Sequence, residues 1–561
     1  MKGKKTNSKS FLKRLSPLMA LIASVGVIFC LIFLVVRPVN VSNMGGMHSW
    51  LSGSTIKFVN NWLENGPINE RFTTYESPNT IEFNSAEERG PYLSYPTGET
   101  FVVYAAVKLT GRQELTISFL RKFQLILFCL EAILLAVFIY VFLSRTLKYK
   151  SIKGRCIIAL LTSTFWMILP TCSYYLANIF FADQCVILWV FALILVEYLY
   201  KTTQKESKTT YLKAIRSLIL FTGILIDYYF WLAAFFMFLF EIIESVIKKK
   251  QKKDSIPIKQ ILLWFGIPVA LAVGLYFIQL IQTPNWLEFM KGRYDIRVAG
   301  KNDSSLRWEI SKIGYNFILA FTPGTVMSAY LIVAMIGLSG AALVIAIRRK
   351  AFSKLFLNPG LSIICSSIIA IIAQIAVFKN HSAIHEFSMI KVAWIVALLP
   401  IFALLILRRT KQTDKLPTLP TFLVLLFICL LATGVPVSTV DFYEKRYVEE
   451  DYALEKLILK ETNENDVLFS FSKEIPINPP QSLAITKKQV YLVSVAEEID
   501  NKFPNLSDKA TKVLIVEKDS EITDKAKWLE RCLSKNNKTR FEDENYKFIE
   551  ITETAKCSKG E

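Results

Sequence analysis

The chain has 561 residues, of which 52% are hydrophobic and 20% are charged, and its formal net charge is +19. That charge alone would suit a nucleic-acid-binding protein. However, the lysines and arginines collect in short runs between apolar segments, which is the positive-inside pattern of membrane proteins. Windows of about twenty apolar residues recur, and each is long enough to cross a bilayer as a helix. The sequence therefore excludes a nucleic-acid partner and predicts a polytopic membrane protein.

In chain order, a basic N-terminus precedes a first apolar run at 17–36. This run is long and lacks a small-residue cleavage site, which indicates a membrane span with a cytoplasmic N-terminus. Further spans are predicted at 118–143, 156–170, 182–200, 212–226, 228–247, 261–281, 326–347, 361–378, 389–407 and 419–435. With about eleven spans every basic run falls on the cytoplasmic side, so the predicted spans are mutually consistent.

An odd number of spans places the tail outside the membrane. We expect a membrane domain at 1–436 and a small extracytoplasmic α/β domain at 437–561. Strands are predicted near 466–471, 512–517 and 546–552, with a helix near 524–534. The predicted fold class is thus an all-α polytopic protein of the plasma (inner) membrane with a small C-terminal α/β domain. Cys532 and Cys557 are the two cysteines in soluble sequence, where they could form one disulfide.

The segment 37–99 is too polar to span a membrane, although apolar segments lie on both sides of it. It contains His48 and the glutamates Glu64, Glu70, Glu76, Glu82, Glu87, Glu88 and Glu99. A long polar loop between spans is usually functional and not merely connective. We therefore expect an active-site loop on the outer face.

All three histidines of the chain, His48, His381 and His385, fall in predicted outer loops or at their edges. The last two are four residues apart, so on a helix they share a face, and Glu386 follows them. One interpretation is that they are solvated at the membrane interface. The other is that they line an outward cavity, where they position an anionic substrate, bind a divalent metal or move protons.

Two acidic residues, Asp183 and Asp227, lie at or within predicted spans. Function is the default hypothesis for a carboxylate there, because its burial is expensive, although both could instead cap helices. The loop at 283–312 carries six basic residues, among them Arg293 and Arg297, on the predicted outer side. They suit a phosphate or pyrophosphate group, and the alternative is a solvated loop beside anionic lipid.

Several segments resemble the GT-C superfamily of integral-membrane glycosyltransferases, and especially the bacterial proteins similar to protein O-mannosyltransferases and aminoarabinose transferases. RGPYLSYPTGETFVVYAAVKLTG at 89–111 resembles the Tyr-Pro-Pro-Gly segment of that family, with Tyr95 matched and Thr97 in place of the second proline. LPTCSYYLANIFFADQCVILWVFAL at 169–193 resembles its proline, aromatic pair and later acid, which Asp183 matches. FTGILIDYYFWLAAFF places Asp227 where the family commonly has a lysine, and NHSAIHEF resembles its late outer loop.

The chain departs from the family pattern after the first span. The family usually has an acidic residue about eighteen positions before the glycine that ends the following helix; counting back from Gly66 leads to the segment around His48, and no carboxylate is there. Either His48 takes the role of the base, or a later glutamate of the loop does, or the reaction differs. His48 also begins a helix-like run, where it could instead anchor an amphipathic helix at headgroup level with Trp50 and Trp62.

What the resemblance implies is inverting transfer of a sugar from a polyprenyl-phosphate-linked donor to a glycan, lipid or protein acceptor on the outer face. A base would deprotonate the acceptor hydroxyl, and cationic groups or a divalent metal would stabilise the departing phosphate. The candidate catalytic residues are His48, Asp183, Glu87 and Glu88. The candidate substrate-binding residues are Arg89, Tyr95, Arg293, Arg297, His381, His385 and Glu386.

Two other functions are compatible with the sequence. A transporter or flippase of a lipid-linked or anionic solute would also be polytopic, but transporters tend to have internal repeats and ionisable residues at the midplane. No repeat is visible here, and the unusual polar groups concentrate on one predicted face. The third alternative is a non-catalytic assembly protein whose outer tail recruits partners.

Overall fold

A computed structural model of the chain describes residues 8–78, 89–203, 206–252, 255–299, 306–321, 356–410, 419–433, 441–472, 475, 479–501, 510–518, 524–554 and 557. The chain before the first strand of the C-terminal sheet includes seventeen α-helices in these ranges. They are α1 Ser8–Cys30, α2 Ser49–Asn65, α3 Gly98–Leu109, α4 Ile117–Arg145, α5 Ile152–Ile168, α6 Pro170–Asn178, α7 Ala182–Thr202, α8 Glu206–Ile224, α9 Tyr228–Lys250, α10 Ile258–Ile281, α11 Trp286–Tyr294, α12 Leu306–Phe321, α13 Pro359–Val377, α14 Lys379–Ile384, α15 Ile390–Thr410, α16 Leu419–Thr433 and α17 Ala453–Glu461.

Six helices of the described ranges are long and apolar enough to cross a membrane: α4, α7, α9, α10, α13 and the run Ser16–Val36 that extends α1. A seventh span results if α5 and α6, which meet at an angle of 71°, are counted as one broken span. Helices α8 and α15 occupy the predicted fifth and tenth spans without passing this test, and the apolar part of α16 is short. The predicted eighth span, 326–347, lies outside the described residues. The expected count of about eleven is therefore not confirmed.

The buried core of the helical part forms where α4 packs on α5 and α7, and where α9 packs on α13. Large apolar side chains remain exposed along the run Ser16–Val36 and along α10, among them Val27, Leu34, Leu271 and Ile278. Exposed apolar surface on this scale marks contact with lipid or with another protein. The helical part is therefore built to be surrounded by lipid, and its buried face carries the groups discussed below.

The C-terminal part contains a five-stranded sheet with strand order β2-β1-β3-β5-β4. The strands are β1 Asp466–Ser470, β2 Val490–Leu492, β3 Thr511–Glu517, β4 Lys538–Glu542 and β5 Tyr546–Ile551, with helices α18 Pro480–Thr486, α19 Ala496–Asn501 and α20 Asp524–Asn536 between them. Strand β1 is parallel to β2 and β3, whereas β5 is antiparallel to β3 and β4.

The strands predicted at 466–471, 512–517 and 546–552 are confirmed, as is the helix near 524–534. Two strands were not predicted: β2 has only three residues, and β4 is largely polar. A disulfide joins Cys532 and Cys557. The predicted domain boundary at 436 and 437 lies in a segment outside the described residues, so it stays a prediction.

The C-terminal part packs directly on α2, and this contact changes the interpretation of the loop at 37–99. Helix α18 lies so close to α2 that a Cβ atom at Gly53 would stand 2.6 Å from the backbone nitrogen of Gln481. Nearly every side chain of α2 is buried, and the indole of Trp62 donates a hydrogen bond to the carbonyl of Thr73 (2.9 Å). Trp62 is therefore not a headgroup anchor, because protein covers it.

Candidate active site

Three charged side chains from the first turns of three helices meet in the interior. Asp183 lies in the first turn of α7, Asp227 caps α9, and Lys391 is the second residue of α15. The Lys391 ammonium lies 2.6 Å from Asp183 Oδ1 and 3.3 Å from Asp227 Oδ1. The Tyr95 hydroxyl donates a hydrogen bond to Asp183 Oδ2 (2.7 Å). All three charged groups are at most 2% exposed, so the single cation compensates two buried carboxylates.

Local sequence explains how these groups reach one place. Asp227 Oδ1 accepts a hydrogen bond from the Tyr229 amide (2.6 Å), so the helix-cap role proposed for Asp227 is confirmed. The amide of Gly98 donates to the carbonyl of Leu225 (2.7 Å), where a Cβ at position 98 would approach that oxygen to 2.4 Å. Glycine is therefore required at 98, and this close approach brings the turn that carries Tyr95 beside Asp227.

The basic loop after α10 contributes Arg297 to the same place. Its guanidinium lies over the Tyr95 ring, 4.1 Å from the centroid, and within the described ranges no carboxylate forms a salt bridge with it. Arg293 differs, because it pairs with Glu76 (3.0 Å) and lies over the Tyr92 ring. Arg297 therefore has donors left for a bound anion, whereas Arg293 is already paired and partly exposed.

The three histidines are neighbours around the Phe387 ring, which lies 4.9 to 5.8 Å from each imidazole. The centroids of His381 and His385 are 4.8 Å apart, and those of His48 and His385 are 6.0 Å apart. His381 Nε2 lies 4.0 Å from Asp183 Oδ1, which joins the histidines to the charged group. We call the assembly of His48, Tyr95, Asp183, Asp227, Arg297, His381, His385 and Lys391 the Asp183 cluster.

Burial makes the imidazoles neutral bases. It lowers the pKa of His48, lowers that of His385 to about 4, and lowers that of His381 well below its ordinary value. One buried ring nitrogen in each has no hydrogen-bond partner within the described part of the chain: Nε2 of His48, Nε2 of His381 and Nδ1 of His385. Buried polar atoms are normally satisfied, so these three nitrogens are available to bind water or another molecule.

Glu386 has its partners within the protein. Arg446 holds it with two hydrogen bonds, from Nε (2.6 Å) and Nη2 (2.9 Å), and the Tyr175 hydroxyl donates a third (2.5 Å). Burial raises the pKa of the Glu386 carboxyl, but the paired guanidinium outweighs burial and the pKa is lowered overall. Glu386 is therefore an ionised carboxylate beside the histidines.

The structure brings six of the predicted site residues together: His48, Tyr95, Asp183, Arg297, His381 and His385. Arg89 lies apart, in a buried pair with Glu70 (2.9 Å) and over the Tyr75 ring. Glu87 and Glu88 lie outside the described residues. The interpretation of Asp183 as a helix cap is wrong, because Phe181 occupies the cap position and the Asp183 carboxylate binds Tyr95 and Lys391 instead.

Sequence reasoning missed Lys391, which is central to the cluster. The signal was available, because a lysine inside an apolar segment is as expensive as the aspartates that were singled out. It lies in the predicted tenth span, in the sequence SMIKVAWIV. Arg446 was also missed, since nothing in a single sequence relates a residue after the last span to a loop after the first.

A divalent metal was one role considered for the histidines. Across the ranges that the structure describes, no group of three or more His, Cys, Asp or Glu side chains is arranged to hold a metal ion. Lys391 accounts for this at the two aspartates, because its ammonium takes the position between them. The described residues therefore do not fit a metal.

No protein-family profile matches the chain, and no curated protein matches its sequence. Among solved structures it is similar to the Archaeoglobus fulgidus oligosaccharyltransferase in the apo form, with a TM-score of 0.47, 11% identity, and coverage of 90% of this chain and 70% of that chain. It is also similar to the Archaeoglobus fulgidus oligosaccharyltransferase AglB in complex with an inhibitory peptide and a dolichol-phosphate (TM-score 0.46, 12% identity, 90% and 70%).

A third similar structure is ArnT from Cupriavidus metallidurans in the apo state, with a TM-score of 0.43, 12% identity, and coverage of 96% of this chain and 98% of that chain. Oligosaccharyltransferase AglB and ArnT are GT-C glycosyltransferases, the superfamily that the sequence resembles. The TM-scores of these three structures are below 0.5.

Proposed function

We propose that the protein is a membrane glycosyltransferase that moves a sugar from a polyprenyl-phosphate-linked donor to an acceptor hydroxyl, with the Asp183 cluster as its active site. The observation that carries this proposal is the cluster itself. Among the described residues, it combines a guanidinium without a carboxylate partner, neutral imidazoles with unpartnered ring nitrogens and a buried Asp–Lys–Asp group, all at the ends of helices. Glycosyl transfer from a lipid phosphate needs an anion-binding group and a base at the membrane edge.

Electrostatics support binding of the donor phosphate near Arg297. The first turns of α7, α9 and α15 meet at Asp183, Asp227 and Lys391, so the positive ends of three helix dipoles point to one place. An arginine that lies flat on Tyr95 can offer two parallel hydrogen bonds to phosphate oxygens. Arg297 is therefore our candidate for stabilising the leaving phosphate.

His48 is our candidate for the base. Its imidazole is neutral at pH 7 because burial lowers its pKa, and its Nε2 atom has no hydrogen-bond partner among the described residues. Asp183 is a weaker candidate, since its two oxygens already contact Lys391 and Tyr95. In the proposed step the acceptor oxygen bonds to the anomeric carbon, the bond to the phosphate oxygen breaks, and His48 takes the acceptor proton. The result is inversion at that carbon.

The proposal extends the sequence-based expectations for partners and location. The donor is a polyprenyl-phosphate sugar, and the acceptor is a glycan, lipid or protein. The reaction would occur on the outer face of the plasma membrane, with the N-terminus in the cytoplasm and the C-terminal part outside. A transporter remains the alternative, but the unpartnered groups lie at helix ends and not halfway along spans, where transporters place their sites.

Release of polyprenyl phosphate tests the proposal. The purified protein, reconstituted in vesicles, is incubated with a panel of polyprenyl-phosphate sugars labelled in the sugar, together with total envelope lipid and glycan as acceptors. We expect label to move to an acceptor in parallel with release of polyprenyl phosphate, and we expect His48→Ala to lower both by about a hundredfold or more. Label that crosses the bilayer on an intact donor, without release of polyprenyl phosphate, would establish a flippase instead.

A further inference from the structure

We infer that Arg446 is a positioning residue, which holds the turn that carries His48 and fixes the neighbouring Glu386 beside the histidines. This inference rests on the proposed function and extends it to a residue outside the helical bundle. Arg446 belongs to residues 441–452, which follow the last helix of the membrane part and which we call the return segment. It acts through its backbone on one side and through its guanidinium on the other.

The backbone of the return segment is paired with the turn before His48. The carbonyl of Arg446 accepts a hydrogen bond from the Met47 amide (2.7 Å) and another from the Tyr174 hydroxyl (3.1 Å). Nearby, Asn43 donates to the carbonyl of Glu450 (2.9 Å). Residues 446–450 therefore lie alongside residues 43–47, the segment that ends directly before His48.

Two glycines make this approach possible. A Cβ at Gly45 would meet the carbonyl oxygen of Val448 at 2.3 Å, and one at Gly46 would meet the Tyr174 hydroxyl at 2.6 Å. Gly46 has a φ of +101° and His48 has a φ of +66°, so the turn itself lies in the left-handed region. Such a conformation at a non-glycine residue persists only where the surroundings impose it, and here the return segment supplies that constraint.

The guanidinium fixes the opposite wall of the histidine group. Its two hydrogen bonds fix Glu386 in place. Glu386 lies between His385 and Phe387 in the sequence, and the rings of both neighbours contact His48. The Arg446 side chain also lies over the Phe442 ring, 3.7 Å from the centroid, and Phe442 is fully buried. The bidentate pair therefore joins the return segment to the His48 turn and to the 385–387 segment at once.

Hydrogen exchange measures the positioning without any need for activity. In the full-length protein in detergent, the peptide that contains residues 44–50 reports the Met47 amide directly. We expect Arg446→Gln to increase exchange there by about tenfold, the effect of losing the constraint on one hydrogen bond. Exchange in α4 and α7 should not change. Lys445→Gln is the matched control, because that neighbour is exposed and pairs only with Asp441 in the described ranges.

Transfer kinetics then separate positioning from simple stability. A misplaced base should lower kcat by about ten- to hundredfold in Arg446→Gln while KM for the donor stays close to wild type. Arg446→Lys keeps the charge but loses the bidentate hydrogen bonds. Compared with Arg446→Gln, it should therefore recover part of kcat and part of the protection from exchange at 44–50. Lys445→Gln should leave both unchanged.

Three results would overturn the inference: unchanged exchange at 44–50 in Arg446→Gln, an increase of equal size throughout α4 and α7, or a change in KM alone. If wild-type protein transfers no sugar from any donor, the proposed function fails, yet the exchange data still decide whether Arg446 holds the His48 turn. The two failures are therefore distinguishable.

Discussion

Two buried clusters of charged side chains lie at opposite ends of α7, roughly 20 Å apart by the rise of the helix. The Asp183 cluster lies at its N-terminal end. The second, which we call the Glu197 cluster, lies at its C-terminal end and comprises Glu197, Lys201, Arg216, Glu241 and Glu244. Both link α7 with its neighbours through buried ion pairs, and both would attract attention in a search for buried ionisable groups.

They differ in how their cations are paired with carboxylates. In the Glu197 cluster each cation lies between two carboxylates: Lys201 is 3.3 Å from Glu197 and 3.0 Å from Glu244, and Arg216 is 2.9 Å from Glu197 and 3.0 Å from Glu241. The Asp183 cluster has one such cation, and around it lie the guanidinium of Arg297 and imidazoles whose nitrogens have no partner in the part of the chain that the structure describes.

The difference teaches that buried charge by itself does not identify a site. Structural ion-pair networks bury charges as thoroughly as active sites do. What distinguishes the Asp183 cluster is a set of neutral imidazoles, together with a guanidinium that forms no salt bridge with a carboxylate among the described residues. We therefore assign structure to one cluster and chemistry to the other, and the following predictions test that assignment.

The largest effect is expected from removing the cation of each cluster in turn. Lys391→Met and Lys201→Met each leave two buried carboxylates with one cation fewer, so both should be destabilised by about 3 kcal/mol or more. Transfer per folded molecule should separate them: it should fall at least about a hundredfold in Lys391→Met and stay near wild type in Lys201→Met. Folded yield is measured by size-exclusion chromatography. Equal losses of specific activity in the two variants would contradict our assignment.

The next effect concerns His48. Loss of a general base typically costs about a hundredfold or more in rate, so His48→Ala should lower transfer by that factor while insertion and folded yield remain intact. Glu87→Gln or Glu88→Gln should cost less. Because burial lowers the pKa of His48, the basic form persists below pH 6.5, and kcat/KM should fall only as the pH drops through that lowered value.

A pH profile of wild-type transfer checks the direction of this pKa shift. An acidic limb centred above pH 6.5 would point to a group whose pKa is raised by its surroundings, and His48 would then not be the base. Near-normal transfer by folded His48→Ala would have the same meaning, and Asp183→Asn would be the next variant to measure.

The elements of the fold were accessible from sequence where one physical signal dominates. Apolar length revealed α4, α7, α9, α10 and α13, and alternation revealed three of the five strands. The burial of α2 could not be predicted, because it depends on α18, more than four hundred positions away in the chain. A one-sided pattern in α2 therefore looked like a helix at the membrane surface.

The site residues also divide into those that the sequence could predict and those that it could not. His48, Asp183 and Arg297 were found because each residue type is out of place in its segment: a histidine in a chain that has three, an acid in a span, an arginine on the outer side. No local sequence pattern indicated that these three residues lie in one cluster. Arg89 looked equally suitable for binding a phosphate. In the structure it pairs with Glu70 instead, because a nearby carboxylate can bind a guanidinium just as a phosphate can.

A smaller effect than that of His48 is expected for Arg297. Losing a hydrogen bond to a charged group costs about 1.5 to 3 kcal/mol, so Arg297→Gln should raise KM for the donor by about tenfold or more. Arg293→Gln is the matched control from the same loop. Its guanidinium is partly exposed and already paired with Glu76, so its KM should change less. Donor titrations at fixed acceptor measure both, and a larger effect in Arg293→Gln would move the phosphate site away from Tyr95.

The last expected effect is on stability, and it concerns Glu99, a buried carboxyl to which the described residues offer no cation. It accepts hydrogen bonds from the hydroxyls of Thr55 (2.8 Å) and Thr100 (3.2 Å). Burial raises its pKa from the ordinary 4.5 to about 7, and the two hydroxyls offset only part of that shift. Its role should therefore be visible in stability.

The sign of this effect follows from the raised pKa. Below pH 4.5 the carboxyl is protonated in both the folded and the unfolded chain. As the pH rises toward 7, the unfolded chain ionises more readily, so folding becomes less favourable, by up to about 3 kcal/mol once both forms are ionised. The unfolding temperature of wild type should thus fall between pH 5 and pH 8, and Glu99→Gln should flatten that fall. Parallel pH curves for Glu99→Gln and wild type would show instead that Glu99 is ionised when folded, with a cation supplied from outside the described residues. Glu99 would then be paired with a cation, as the carboxylates of the Glu197 cluster are.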